Sequence, residues 1–117
     1  MDDFDFSDLA RLEVVLDQAS IKAEEMAKVA VKKTGFDTVA GAQALAPVDT
    51  GNLKNSIGVD FDPDEFGFEA GPTAEYGAYV ELGTSRMAPQ PYLLPAFDRA
   101  SEQFVKAIET IGGRVLE

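Results

Sequence analysis

The stretch ELGTSRMAPQPYLLPAFD, residues 81–98, places Pro89, Pro91 and Pro95 between a Gly-Thr-Ser turn and an apolar run. Proline has no backbone N–H, fixes its own φ and pushes the preceding residue out of the helical region. Such spacing suits neither a strand ladder nor a helix interior, so these residues form an extended strap that opens into a helix. Beyond it, Phe97, Ala100, Phe104, Ala107, Ile108, Ile111 and Val115 recur at helical spacing, with Asp98, Arg99, Glu102, Lys106 and Glu109 between them. That is an amphipathic helix, with Gly112-Gly113 placed to end it.

Upstream, Ser7 reads as an N-cap, and Leu9, Leu12, Val15, Leu16 and Ala19 fall at spacings that predict a helix over about 8–18. Ala23, Met26, Ala27, Ala30 and Val31 predict a second helix with a small-residue face fit for close packing. It runs to about residue 45, with a kink or break near Thr34–Asp37 where Gly35 interrupts. From Leu53 the period changes to two. LKNSIGVDF and FGFEAG flank a DPDE turn, which predicts a β-hairpin with an acidic tip. TAEYGAYVELG, residues 73–83, reads as a short helix closed by Gly83. The order predicts an α+β fold in one domain of 117 residues: N-terminal helices and a C-terminal helix packed on a small antiparallel β-sheet.

The chain has no Cys and no His. Disulfides, thiolate chemistry and nearly all transition-metal ligand sets are therefore closed to it, and only carboxylates remain for base or hard-metal work. No cofactor is expected. Asp2, Asp3, Asp5 and Asp8 stand where a signal peptide carries a basic segment, and no apolar run approaches the roughly 20 residues of a membrane span. The expectation is a protein that stays in a cytoplasm-like compartment, with no membrane contact. Net charge is −11, collected in two blocks: −5 over residues 1–20 and −6 over residues 51–85. Ordinary nucleic-acid binding needs Lys and Arg clusters, which this distribution lacks. The acid is either a solubilising surface or a wall past which DNA slides without sticking.

Two chemical motifs remain to be weighed. Val48 to Gly51 spells VDTG, and Asp-Thr-Gly is the triplet of homodimeric aspartic hydrolases, where two copies of Asp49 would share a proton. Here it follows a helical segment and Pro47, so a structural turn is the better reading: Asp49 or Thr50 accepts backbone N–H groups and Gly51 supplies φ > 0. The acids Asp60, Asp62, Asp64 and Glu65 alternate as calcium ligands do, but lack the glycine and glutamate of a calcium loop.

ALAPVDTGNLKNSI, the acidic hairpin and AEYGAYVELGTSRMAPQPYLLPAFD, taken in that order over residues 44–98, resemble the head-to-tail joining family of long-tailed bacteriophages, whose members are labelled neck, minor tail or tail-completion proteins. The resemblance implies a non-enzymatic virion protein of the neck or tail, assembled in the host cytoplasm. It implies a ring of identical subunits that joins the head connector to the tail tube, or terminates the tail, with DNA passing through. Its partners would be itself, a head-connector or head-closure protein, a tail-tube or tail-terminator protein and, transiently and without sequence preference, DNA. In a ring, a pre-ordered strap of Met87, Pro89, Pro91, Tyr92 and Leu93 would dock with little entropy loss. The alternative is that the strap clamps the domain's own core through Leu94 and Phe97. Asp60, Asp62, Asp64 and Glu65 are the candidates to line the lumen, with Asp2, Asp3 and Asp5 as the alternative.

Overall fold

The computed structural model describes residues 10–14, 20–47, 51–74 and 76–116, with side chains as far as residue 112. The elements in chain order are β1 (Ala10–Glu13), α1 (Ile21–Leu45), α2 (Asn52–Ser56), β2 (Ile57–Phe61), β3 (Gly67–Pro72), α3 (Gly77–Leu82) and α4 (Leu93–Leu116). The three strands form an antiparallel sheet in the order β1-β3-β2. The architecture is α+β, with the long helices against one face of the sheet.

Strand alternation decides which side chains meet the helices. Ala10, Ala70 and Val59 form one cross-strand row, and Leu12, Phe68 and Phe61 the next. These rows turn inward, where Phe36, Phe61, Phe68 and Phe97 make a run of edge-on ring contacts at 5.3, 6.0 and 6.2 Å between successive centroids. Such pairs add to burial because each ring sets its positive edge on a negative face. The intervening row, Arg11, Glu69 and Asp60, turns outward.

The expected helix over 8–18 is corrected in its described part: Ala10–Glu13 is a strand. The 3–4 spacing of Leu9, Leu12 and Val15 coexists with an equally good alternation of Ala10, Leu12 and Val14. Pairing with β3 selects the latter by joining the backbone and burying Ala10 and Leu12 against the core. Ser7 lies outside the described residues.

Helix α1 is continuous, which corrects the expected break. Ser20 caps it, accepting from the Ala23 N–H at 3.1 Å. Thr34 and Thr38 are buried, and their hydroxyls donate to the carbonyls of Ala30 and Thr34 at 2.8 Å each. Gly35 belongs here because a Cβ would stand 2.8 Å from the Phe61 ring, so its absence lets β2 approach. On another side of α1, a Cβ at Gly41 would be 3.0 Å from that of Ala96, while Ala30 lies beside Ala107. Helices α1 and α4 therefore run antiparallel along a seam of small residues.

Helix α2 takes up residues expected as the start of the first strand, and β2 begins only at Ile57. The expected short helix is trimmed to α3 and is closed by Gly83 as read. Helix α4 starts at Leu93, so Pro95 sits in its first turn, where the missing N–H has no helical partner to lose. Gly112-Gly113 does not end it, for the helix continues to Leu116. Two glycines cost about 1 kcal/mol each relative to alanine, too little to stop an established ladder.

Candidate functional site

The sequence from Ala88 to Pro91 offers no Ser, Thr, Asp or Asn to cap α4. The cap comes from α3 instead. Glu81, only 3% exposed, accepts the N–H groups of Tyr92 and Leu93 on Oε1 at 3.1 and 2.8 Å, and that of Leu94 on Oε2 at 3.2 Å. These donors are among those that a helix start leaves unpaired, and a carboxylate there also meets the positive end of the helix dipole.

The connection is tied down along its length. Gln90 N–H donates to the Val80 carbonyl at 2.8 Å, and Thr84 and Met87 form a two-way bridge at 2.8 and 3.3 Å. Gly83 has φ 78° and ψ 173°, a region open essentially to glycine alone. A Cβ there would meet Pro89 N at 2.8 Å and the Met87 carbonyl at 2.9 Å. Tyr92 is fully buried and donates its hydroxyl to the Gly77 carbonyl at 3.1 Å. Burial, then the nearby Glu81 charge, push its phenol far above the ordinary tyrosine value, so it stays a donor.

Of the five strap residues expected to dock on a partner, Tyr92 and Leu93 are therefore turned into the chain's own core, and Met87 is half-buried. Pro89 and Pro91 are exposed. Beside them stands an apolar strip that sequence reading missed: Tyr76, Tyr79 and Leu82 follow at intervals of three around α3 and are 41, 60 and 53% exposed. The signal was present in TAEYGAYVELG, where both faces of a short helix are apolar although only one can be buried.

The hairpin acids do not act as one group. Asp62 receives the Arg11 guanidinium at 2.6 and 3.1 Å, and Arg11 also reaches Glu13 at 2.9 Å and Glu69 at 3.4 Å. Its hydrogen bond holds the Asp62 carboxyl below the usual range. Glu65, at φ 66°, pairs with Lys32 at 2.8 Å and more loosely with Lys28 at 3.9 Å, which lowers its pKa in the same way. Asp64 accepts the Phe66 N–H at 2.9 Å and shapes the turn. Asp60 points to solvent and makes no ion pair among the described residues. Two of the four carboxylates are thus spent on fastening the hairpin, Asp62 to β1 and Glu65 to α1.

Asp49, Thr50, Asp2, Asp3 and Asp5 lie outside the described residues. Gly51 has φ 76°, as a glycine turn position requires, and precedes α2. Among the described residues no helix is long and apolar enough to cross a membrane.

No curated protein and no solved structure matches the chain. Residues 10–83 match the family described as "Bacteriophage HK97-gp10, putative tail-component". The matched segment takes in the sheet, α1, α2 and α3, and ends at Gly83, where the strap begins. The match covers more than half of the 117 residues, so the chain belongs to this HK97-gp10-like family and is a structural tail component of a bacteriophage virion.

Proposed function

We propose that the protein is a non-enzymatic subunit of a ring in the phage neck, joining the head connector to the tail tube or terminating the tail, with DNA passing through. The family match over residues 10–83 carries this reading. The shape of the chain supports it. Glu81 and the glycine at 83 fix the strap against α3, so Pro89, Pro91 and Met87, with Tyr79 and Leu82 beside them, form a pre-ordered apolar surface. A surface already held in its bound shape loses little entropy when a neighbouring tail or head protein docks on it. The net charge of −11 suits a lumen that repels phosphates rather than pinning them; of the four hairpin acids, Asp60 and Asp64 are the ones without an ion pair among the described residues.

The test is a particle-assembly experiment. Without this protein, lysates should contain filled heads and separate tails, and the wild-type chain supplied in trans should restore joined particles. Images of restored particles should place a ring of it around the DNA path. A deletion that still yields joined, infectious particles would refute the joining role. In the rescue assay, Tyr79→Ser with Leu82→Ser should fold normally yet fail to join.

A further inference from the structure

We infer that the groove between α1 and α4 seats the outer sheet face of a second copy of this chain, an inference that rests on the ring reading above. On the side of α1 and α4 away from the sheet lie two adjoining hollows of about 290 and 380 Å³. Their floor is made of small buried residues, Ala30, Ala96 and Ala100, with Ala40 and Ala44 exposed at the rim, and Lys33, Arg99 and Lys106 stand along the walls. Lys33 is paired with Asp37. Arg99 and Lys106 make no ion pair among the described residues. The acids of α4, Asp98, Glu102 and Glu109, recur at helical spacing on the next stripe, so the groove keeps its positive sign.

The opposite face of the molecule has the complementary character. Glu13, Asp62 and Glu69 share the guanidinium of Arg11 there, and Asp60 stands across from Glu69 on the neighbouring strand, leaving an excess of carboxylates. Gly58 and Gly71 are paired beside them, and a side chain at Gly58 would meet open space, so the face is shallow and reachable. Two copies set face to face would bring like charges together; sheet face on groove brings Asp60 and Glu13 toward Arg99 and Lys106. Because the two surfaces lie on opposite sides of one subunit, the contact is head-to-tail. Repeated, it closes into a ring or runs on as a filament. The seam takes Asp60 away from the lumen and leaves Asp64 at the hairpin turn to face it.

Two full-length variants test this: Arg99→Glu with Lys106→Glu, and Glu13→Lys with Asp60→Lys, each first checked for a wild-type circular dichroism spectrum and melting curve. Native mass spectrometry should show each alone associating about tenfold more weakly than wild type or worse. An equimolar mixture should recover, since every contact in an alternating ring is again between opposite charges. The chain has no cysteine. A chain carrying both Ala40→Cys and Gly58→Cys should therefore give a ladder of disulfide-linked oligomers on oxidation, both in solution and inside particles. Single variants that assemble like wild type, a folded pair that fails to recover on mixing, or rings that give no ladder would each overturn the seam while leaving the ring reading intact. A wild-type chain that is monomeric both in solution and in the particle would refute the ring and the seam together. Assembly appearing only when an acidic tail protein is added would assign the groove to that protein instead.

Discussion

The clasp of α3, strap and α4 and the outer face of the sheet handle polar groups in opposite ways. In the clasp the charge is buried and every oxygen of Glu81 has a backbone donor, so the group holds two helices and the turn between them in one geometry. On the sheet face the charges are exposed or half-exposed, Arg11 is shared among three carboxylates, and Asp60 is left to solvent. Buried charge is costly unless satisfied and becomes a structural requirement once it is. Surface charge holds little together, but it keeps sign and reach for a partner. The densest motif in the sequence thus serves folding through Tyr92 and Leu93, while its Pro89 and Pro91 stay exposed.

This contrast breaks first at Glu81. Glu81→Ala strands three N–H groups, those of Tyr92 and Leu93 buried and that of Leu94 partly so, and should cost about 3 kcal/mol or more in urea unfolding, whereas Glu81→Gln keeps an acceptor and should lose roughly half of that. A loss below about 1 kcal/mol for the alanine variant would show the clasp to be no tighter than the open face. Gly83→Ala comes next, at about 2 kcal/mol, because both the backbone angle and the 2.8 Å approach to Pro89 oppose a side chain. Tyr92→Phe removes one buried hydrogen bond, that from the hydroxyl to the Gly77 carbonyl, an expected loss of about 1 kcal/mol by the same measurement.

The parts legible in the sequence were those where local pattern and tertiary demand agree. The strap, the amphipathic stripe of α4, the acidic hairpin turn and the closure of α3 at Gly83 all follow from proline, periodicity and glycine chemistry. Residues 10–13 escape a local reading because one apolar set fits both a helix and a strand, and only the partner strand, with paired residues 54 to 60 positions away, decides between them. The cap at Glu81 was hidden for a related reason. Its ligands lie 11 to 13 residues downstream, and no local spacing rule links an acid at the end of one helix to the start of another. What could have been read was the need: a helix start with no capping side chain of its own must borrow one. Without that step the sequence turns Tyr92 and Leu93 outward, whereas a start fastened by a buried acid carries its flanking residues inward with it.

The smallest effect belongs to the open face, and its sign is fixed by the ion pair. The guanidinium of Arg11 lowers the pKa of Asp62 below the ordinary value of 3.8, so the unfolded chain takes up this proton more readily than the folded one. The pair's contribution is therefore complete above about pH 4 and is lost as pH falls through the depressed folded value. Asp62→Asn should leave stability at pH 7 only slightly reduced, since both partners are partly exposed, at 33 and 25% of the side chain, and screened by solvent. It should flatten the fall in stability below pH 4, and 1 M salt, which shortens the screening length to about 3 Å, should have the same flattening effect on the wild type. Unfolding curves collected from pH 5 down to pH 2 decide it. An acid limb as steep in Asp62→Asn as in the wild type would mean that Arg11 is held by Glu13 and Glu69 alone, and that the sheet face is looser still than its geometry implies.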